Sequence, residues 1–146
     1  MADGAGDVPA PRHRRPAGVS DGTVAATGKL SEALETIERA RGHLYAFHQL
    51  TGGADLALDE AVRLFRDAGH PDLADRIARE LIGRNVLEGR WTFQIVEEYD
   101  DGYYSLFRDI DLAARTQLLN GRRHIFEAEM KEKRRSADQP GHTATP

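Results

Sequence analysis

From Leu30 to Arg135 the apolar residues recur every three or four positions, and this period leaves room for little but helices. The stripe Leu30, Ala33, Leu34, Ile37, Ala40, Leu44, Phe47 predicts a first helix. Ser31 is its expected N-cap, with Glu32 and Glu35 at the positive end of its dipole. Thr51-Gly52-Gly53 is the expected stop. A second helix then carries Leu58, Ala61, Val62, Phe65 and Ala68 until Gly69 and Pro71 end it.

The third stretch is ambiguous. Leu73, Ala74, Ile77, Ala78 and Leu81 share one face, and the same face projected onward carries Asn85, Glu88 and Thr92, then Ile95, Val96 and Tyr99. One long helix over 72–100 is expected, or a break near Gly83 or Gly89. The segment Trp91–Ile95 also alternates like a strand. No second strand-like segment exists to satisfy its ladder, so the helical reading prevails. Gly102 marks a turn. Tyr103, Leu106, Phe107, Ile110, Ala114, Gln117 and Leu118 predict a fourth helix up to Asn120-Gly121, and Ile125, Phe126 and Met130 a fifth. Short loops between five helices imply antiparallel neighbours, so the expected fold is an all-α, compact bundle of about five helices.

The ends read differently. Residues 1–28 hold no Leu, Ile, Phe, Tyr or Trp and are rich in Gly and Pro; residues 136–146 are similarly poor in large apolar groups. Both are expected to be disordered tails around a single domain over 29–135, because they cannot bury enough surface to offset ordering entropy.

Composition removes whole classes of chemistry. With no cysteine there is no disulfide framework, thiolate metal site or cysteine nucleophile. No apolar run approaches the ~20 residues that span a bilayer, and no apolar stretch follows Arg12, Arg14 and Arg15, so no signal peptide or membrane association is expected and a cytoplasmic location is the default. The basic residues are all arginine except Lys29, Lys131 and Lys133, but the net charge is −4 and the middle of the chain is acidic. Nucleic acid is therefore not an expected partner.

Named motifs fail in turn. Gly83 and Gly89 precede no Gly-Lys-Ser/Thr, and Asp100-Asp101-Gly102 and Asp109-Ile110-Asp111 lack calcium-loop spacing. The paired Glu-x-x-His of carboxylate di-metal bundles is missing, so no metal and no cofactor is expected.

What remains is a set of polar residues on apolar faces: His48 within the first stripe, and Asn85, Glu88 and Thr92 on the long helix with Arg84 at its edge. They either satisfy one another or line a wet pocket. Trp91, Phe93, Tyr99, Tyr103 and Tyr104 form a surplus aromatic ridge suited to an interface. The leading expectation is thus a non-enzymatic helical protein that associates with other chains, in the first place with itself as a homodimer. The alternative is a small-molecule-binding or metal-assisted enzyme, with Glu88 as general base or ligand, His48 and Asn85 as partners, and an arginine holding an anionic substrate.

Overall fold

The computed structural model describes residues 6–145. Its elements are a 3₁₀ turn (Pro11–His13) followed by α1 (Asp21–Asp67), α2 (Pro71–Arg76), α3 (Thr92–Tyr99), α4 (Ser105–Leu119) and α5 (Ile125–Arg134). A π turn over Ile77–Leu81 extends α2, and a second over Asp100–Tyr104 joins α3 to α4 with no loop between them. Counted as continuous rods, four helices stand among the described residues instead of five, and no strand does; only an isolated bridge joins Leu87 to Arg90. The all-α class holds.

The helix boundaries depart from the sequence expectation in three places, and at a fourth the structure decides between two readings. Gly52 and Gly53 lie inside α1, which runs unbroken for 47 residues. Two interior glycines cost about 1 kcal/mol each against alanine, too little to end a helix whose packed stripe continues in phase on both sides. Of the two readings of residues 72–100, the break at Gly83 and Gly89 holds and the single long helix does not. Gly83 and Gly89 take φ +74° and +72°, and the loop between α2 and α3 contains Arg84, Asn85 and Glu88. Gly102 is no turn but an exposed member of the second π turn. Ser31 is no N-cap either; it sits in mid-helix and donates to Asp111 at 2.8 Å.

The chain divides into two units: residues up to Thr36 with those from Leu106 onward, and Ile37–Ser105. In the first unit Val24, Leu119 and Ile125 form the core, with Val19 packed against them. Val24 belongs to the segment expected to be a disordered tail, and that expectation fails for Asp21–Gly28, the first turns of α1. Ser20 caps them, accepting from the Thr23 N–H at 3.1 Å. Residues 6–20 are also tied down. The Arg15 guanidinium grips Glu129 of α5 through Nε and Nη2, both at 2.9 Å, and Asp21 at 2.7 Å. Both of those carboxylates keep the Arg15 pKa above its ordinary value, Glu129 more than Asp21. Residues 1–5 of that expected tail lie outside the described residues, as does 146.

The segment after α5 has no helix, yet Arg135 binds the Asp7 carboxylate and the His142 carbonyl, and the Ala144 N–H donates to Asp7. The close approach of α5 to α1 explains Gly28. A Cβ there would meet Phe126 Cβ and Cγ at 2.9 Å. Asp111, at 5% exposure, is satisfied by Ser31 and Arg115.

In the second unit, α1 pairs antiparallel with α3 and then with α2. As the partner on α1 advances from Glu38 to Arg41 to His48, the partner on the other rod recedes from Tyr104 to Asp100 to Thr92. Farther along, Asp55 accepts from the Gly83 N–H at 2.9 Å and Arg66 pairs with Asp75 at 2.7 Å. The face of α1 turned to these neighbours carries Ile37, Arg41, Leu44, His48, Thr51, Asp55, Leu58, Val62 and Phe65, all at least half-buried. Ala74 of α2 and Val96 of α3 are the buried apolar residues of this unit.

Candidate functional site

Arg41 and His48 of the α1 stripe, with the exposed Glu38 beside it, build a ladder of three rungs across to α3 and the π turn. The first is Tyr104, whose hydroxyl reaches both Glu38 carboxylate oxygens, at 2.8 and 2.9 Å. The second is Arg41, which grips Asp100 with Nε at 2.7 Å and Nη2 at 3.0 Å, the two-pronged geometry that suits guanidinium and carboxylate. Its guanidinium carbon also lies over the Tyr45 ring at 4.9 Å and over the Tyr104 ring at 4.8 Å, a cation held against two π faces. Tyr99 stacks on Tyr104 with centroids 6.4 Å apart. The third rung is His48, whose Nδ1 meets Thr92 Oγ at 2.7 Å while the Tyr45 ring edges against the imidazole.

Local structure explains why these groups converge. Thr92, Val96 and Asp100 are four apart and share the face of α3 turned to α1, and the π turn carries that face on to Tyr104. Thr92 opens α3 and is 3% exposed; its helix start is fixed by the Gln94 side chain, which accepts from the Trp91 N–H at 2.7 Å. Arg41 holds the Asp100 carboxyl below the usual carboxylate range through its hydrogen bonds, overcoming the opposite push of burial. Reciprocally, Asp100 raises the Arg41 pKa.

Of the sequence-predicted pocket residues, the structure brings together only His48 and Thr92. Arg84, Asn85 and Glu88 are exposed in the α2–α3 loop, and Glu88 forms no ion pair among the described residues. The reading of Asn85, Glu88 and Thr92 as one patch required a continuous helix, and the left-handed Gly83 and Gly89 remove it. Arg84 instead borders a shallow cleft with Leu73, Arg76, Ile77, Glu80 and Leu81. No group of three or more His, Asp or Glu side chains placed to hold a metal occurs among the described residues.

The aromatic residues separate in the same way. Tyr99 and Tyr104 are spent within the ladder, Trp91 is half-buried at the start of α3, and Phe93 and Tyr103 are 55% and 56% exposed. Sequence reasoning missed Arg41 and Asp100. The available signal was a charge at position 41 in phase between Ile37 and Leu44, on the face destined for burial.

No buried side-chain nitrogen or oxygen among the described residues lacks a partner. A network satisfied in this way favours one pairing of the helices. No protein-family model matches the chain, and no curated protein or solved structure does either. Among the described residues no helix is long and apolar enough to cross a membrane.

Proposed function

We propose that this is a non-enzymatic helical protein that works by association through its exposed apolar helix faces, in the first place with a second copy of itself. The observation that carries the reading is α1. Over 47 residues it fully buries only Val24 and Thr27, while Phe47, Leu50, Leu56 and Leu64 remain 42%, 73%, 72% and 52% exposed. Exposed apolar surface on this scale marks an interaction site in a soluble chain. Leu106, Ile110 and Leu112 on α4, each at least half exposed, add to it in the other unit.

The test is light scattering coupled to size exclusion, across a tenfold range of concentration. A mass of twice the 16.2 kDa chain is expected; a monomer at every concentration overturns the proposal.

A further inference from the structure

The first unit gathers positive charge at one cleft. Many arginines of the chain are held by carboxylates, Arg15 by Glu129, Arg41 by Asp100, Arg66 by Asp75 and Arg90 by Glu98. Between the 3₁₀ turn and the start of α5 the pattern changes. Arg12 and His13 line one side of a cleft of about 410 Å³, and Arg122, Arg123 and His124 line the other. No Asp or Glu lines it, and neither Arg12 nor Arg123 forms an ion pair among the described residues. The chain carries a net charge of −4, so the sign of the cleft opposes that of the molecule.

The cleft is held by specific contacts. Its two sides come from distant parts of the sequence, and the Arg122 guanidinium clasps them together, its Nη1 donating to the Arg14 carbonyl at 2.8 Å. Arg15 anchors the first side to Glu129 of α5 and to Asp21 of α1. The His13 and His124 rings meet edge to face, with centroids 6.2 Å apart. Asn120 and His124 take φ of +52° and +58°, and they are the non-glycine residues with positive φ among the described residues. Both line this cleft. L residues avoid the left-handed region, and positions held there gather at functional sites. α5 opens at the same place with no side chain capping its first N–H groups, so the positive end of its dipole adds to the field of the arginines.

Fixed like charges repel unless an anion lies between them, so such a cleft suits a ligand with several negative charges. Guanidinium forks match the paired oxygens of carboxylate and phosphate. A carboxylate is planar and offers its oxygens along one edge, whereas a tetrahedral phosphate accepts from both sides of a cleft at once. One phosphate carries about −1.5 to −2 at neutral pH, short of the three guanidiniums here, and two linked phosphates make up the difference. We propose that this cleft binds a diphosphate group. Arg12 and His13 donate to it from one side and Arg123 and His124 from the other, while Arg122 keeps the two sides together. The volume lies in the range of small-ligand sites, which fits both pyrophosphate and the diphosphate of a nucleotide. The site belongs to the first unit alone and is independent of the proposed self-association.

Titration calorimetry of the full chain with pyrophosphate, at low ionic strength so that screening is weak, tests the proposal. One saturable site per chain is expected, weakened about tenfold or more by Arg12→Gln and by Arg123→Gln. Both side chains are exposed, and circular dichroism verifies the fold of each variant. Arg134→Gln removes the same charge at the far end of α5, about 15 Å away, and should change the affinity less than about twofold. A parallel titration with ADP separates the two sources. Tighter binding of ADP assigns the diphosphate to a nucleotide, and equal or weaker binding assigns it to pyrophosphate. Absence of pyrophosphate binding, sulfate bound as tightly as pyrophosphate, or an equal loss in all three arginine variants overturns the proposal. So does an RNA oligomer that binds where pyrophosphate does not.

Discussion

Replacing Gly52 by alanine should stabilise the protein. The glycine lies inside α1, where its φ is not positive, and a Cβ built on it meets nothing within 4 Å. The substitution therefore removes only the conformational freedom that glycine brings to the unfolded chain. Its expected effect is a gain of about 1 kcal/mol, equivalent to a rise of about 3 °C in the unfolding midpoint for a chain of this size. The assay is urea and thermal unfolding followed by helical circular dichroism, at one fixed protein concentration so that association does not shift the midpoint. The sign is the decisive quantity. A chain that turned at Gly52-Gly53 would hold a glycine in the left-handed region, and alanine there would cost about 1–2 kcal/mol. Gly83, at φ +74°, supplies the matched control: Gly83→Ala should lose that amount. A destabilised Gly52→Ala, or equal behaviour of the two variants, refutes the continuous helix.

Val24 lies in the core at 3% exposure, so Val24→Ala should cost about 2 kcal/mol and deletion of residues 1–28 more, read as a lowered denaturation midpoint. The Asp100 carboxyl is held below its ordinary pKa by Arg41, so its contribution is complete above the usual carboxylate range and fades as the pH falls through the lowered value. Asp100→Asn should therefore be less stable than wild type at pH 7, with the gap narrowing as the pH falls; a gap that does not change with pH speaks against the pairing. Glu88→Gln should leave stability within about 0.5 kcal/mol of wild type, because the side chain is exposed and unpaired among the described residues.

The helical class was legible because periodicity needs no knowledge of partners. Helix ends were less so, since glycine weighs the same in a sequence whether neighbours hold it or not. Gly52 and Gly53 are bridged by a stripe that keeps phase through His48, Thr51, Asp55 and Leu58. Gly83 and Gly89, by contrast, flank a stretch where the stripe turns polar at Asn85 and Glu88. Phase continuity, not glycine count, separates the two cases. The segment Asp21–Gly28 was misjudged because Val24 and Thr27 bury small side chains that a search for large apolar groups overlooks. His48 and Thr92 were visible as polar residues on apolar faces. Arg41 was legible in the same way and went unread, while Asp100 was hidden by its acidic neighbours, which gave Glu97–Asp101 the look of a solvated helix end.

The three polar rungs work as a vernier scale. Apolar layers repeat and can slide past one another by a turn or a heptad with modest loss. The rungs fall at intervals of three and seven residues on α1 but four and eight on the opposing rod, and the inserted residue of the π turn accommodates the first mismatch. Two unequal graduations coincide at a single setting. Any slip of α1 against α3 separates Glu38 from Tyr104, Arg41 from Asp100 and His48 from Thr92 together, so this pair of helices has one alignment rather than a family of near-equivalent ones.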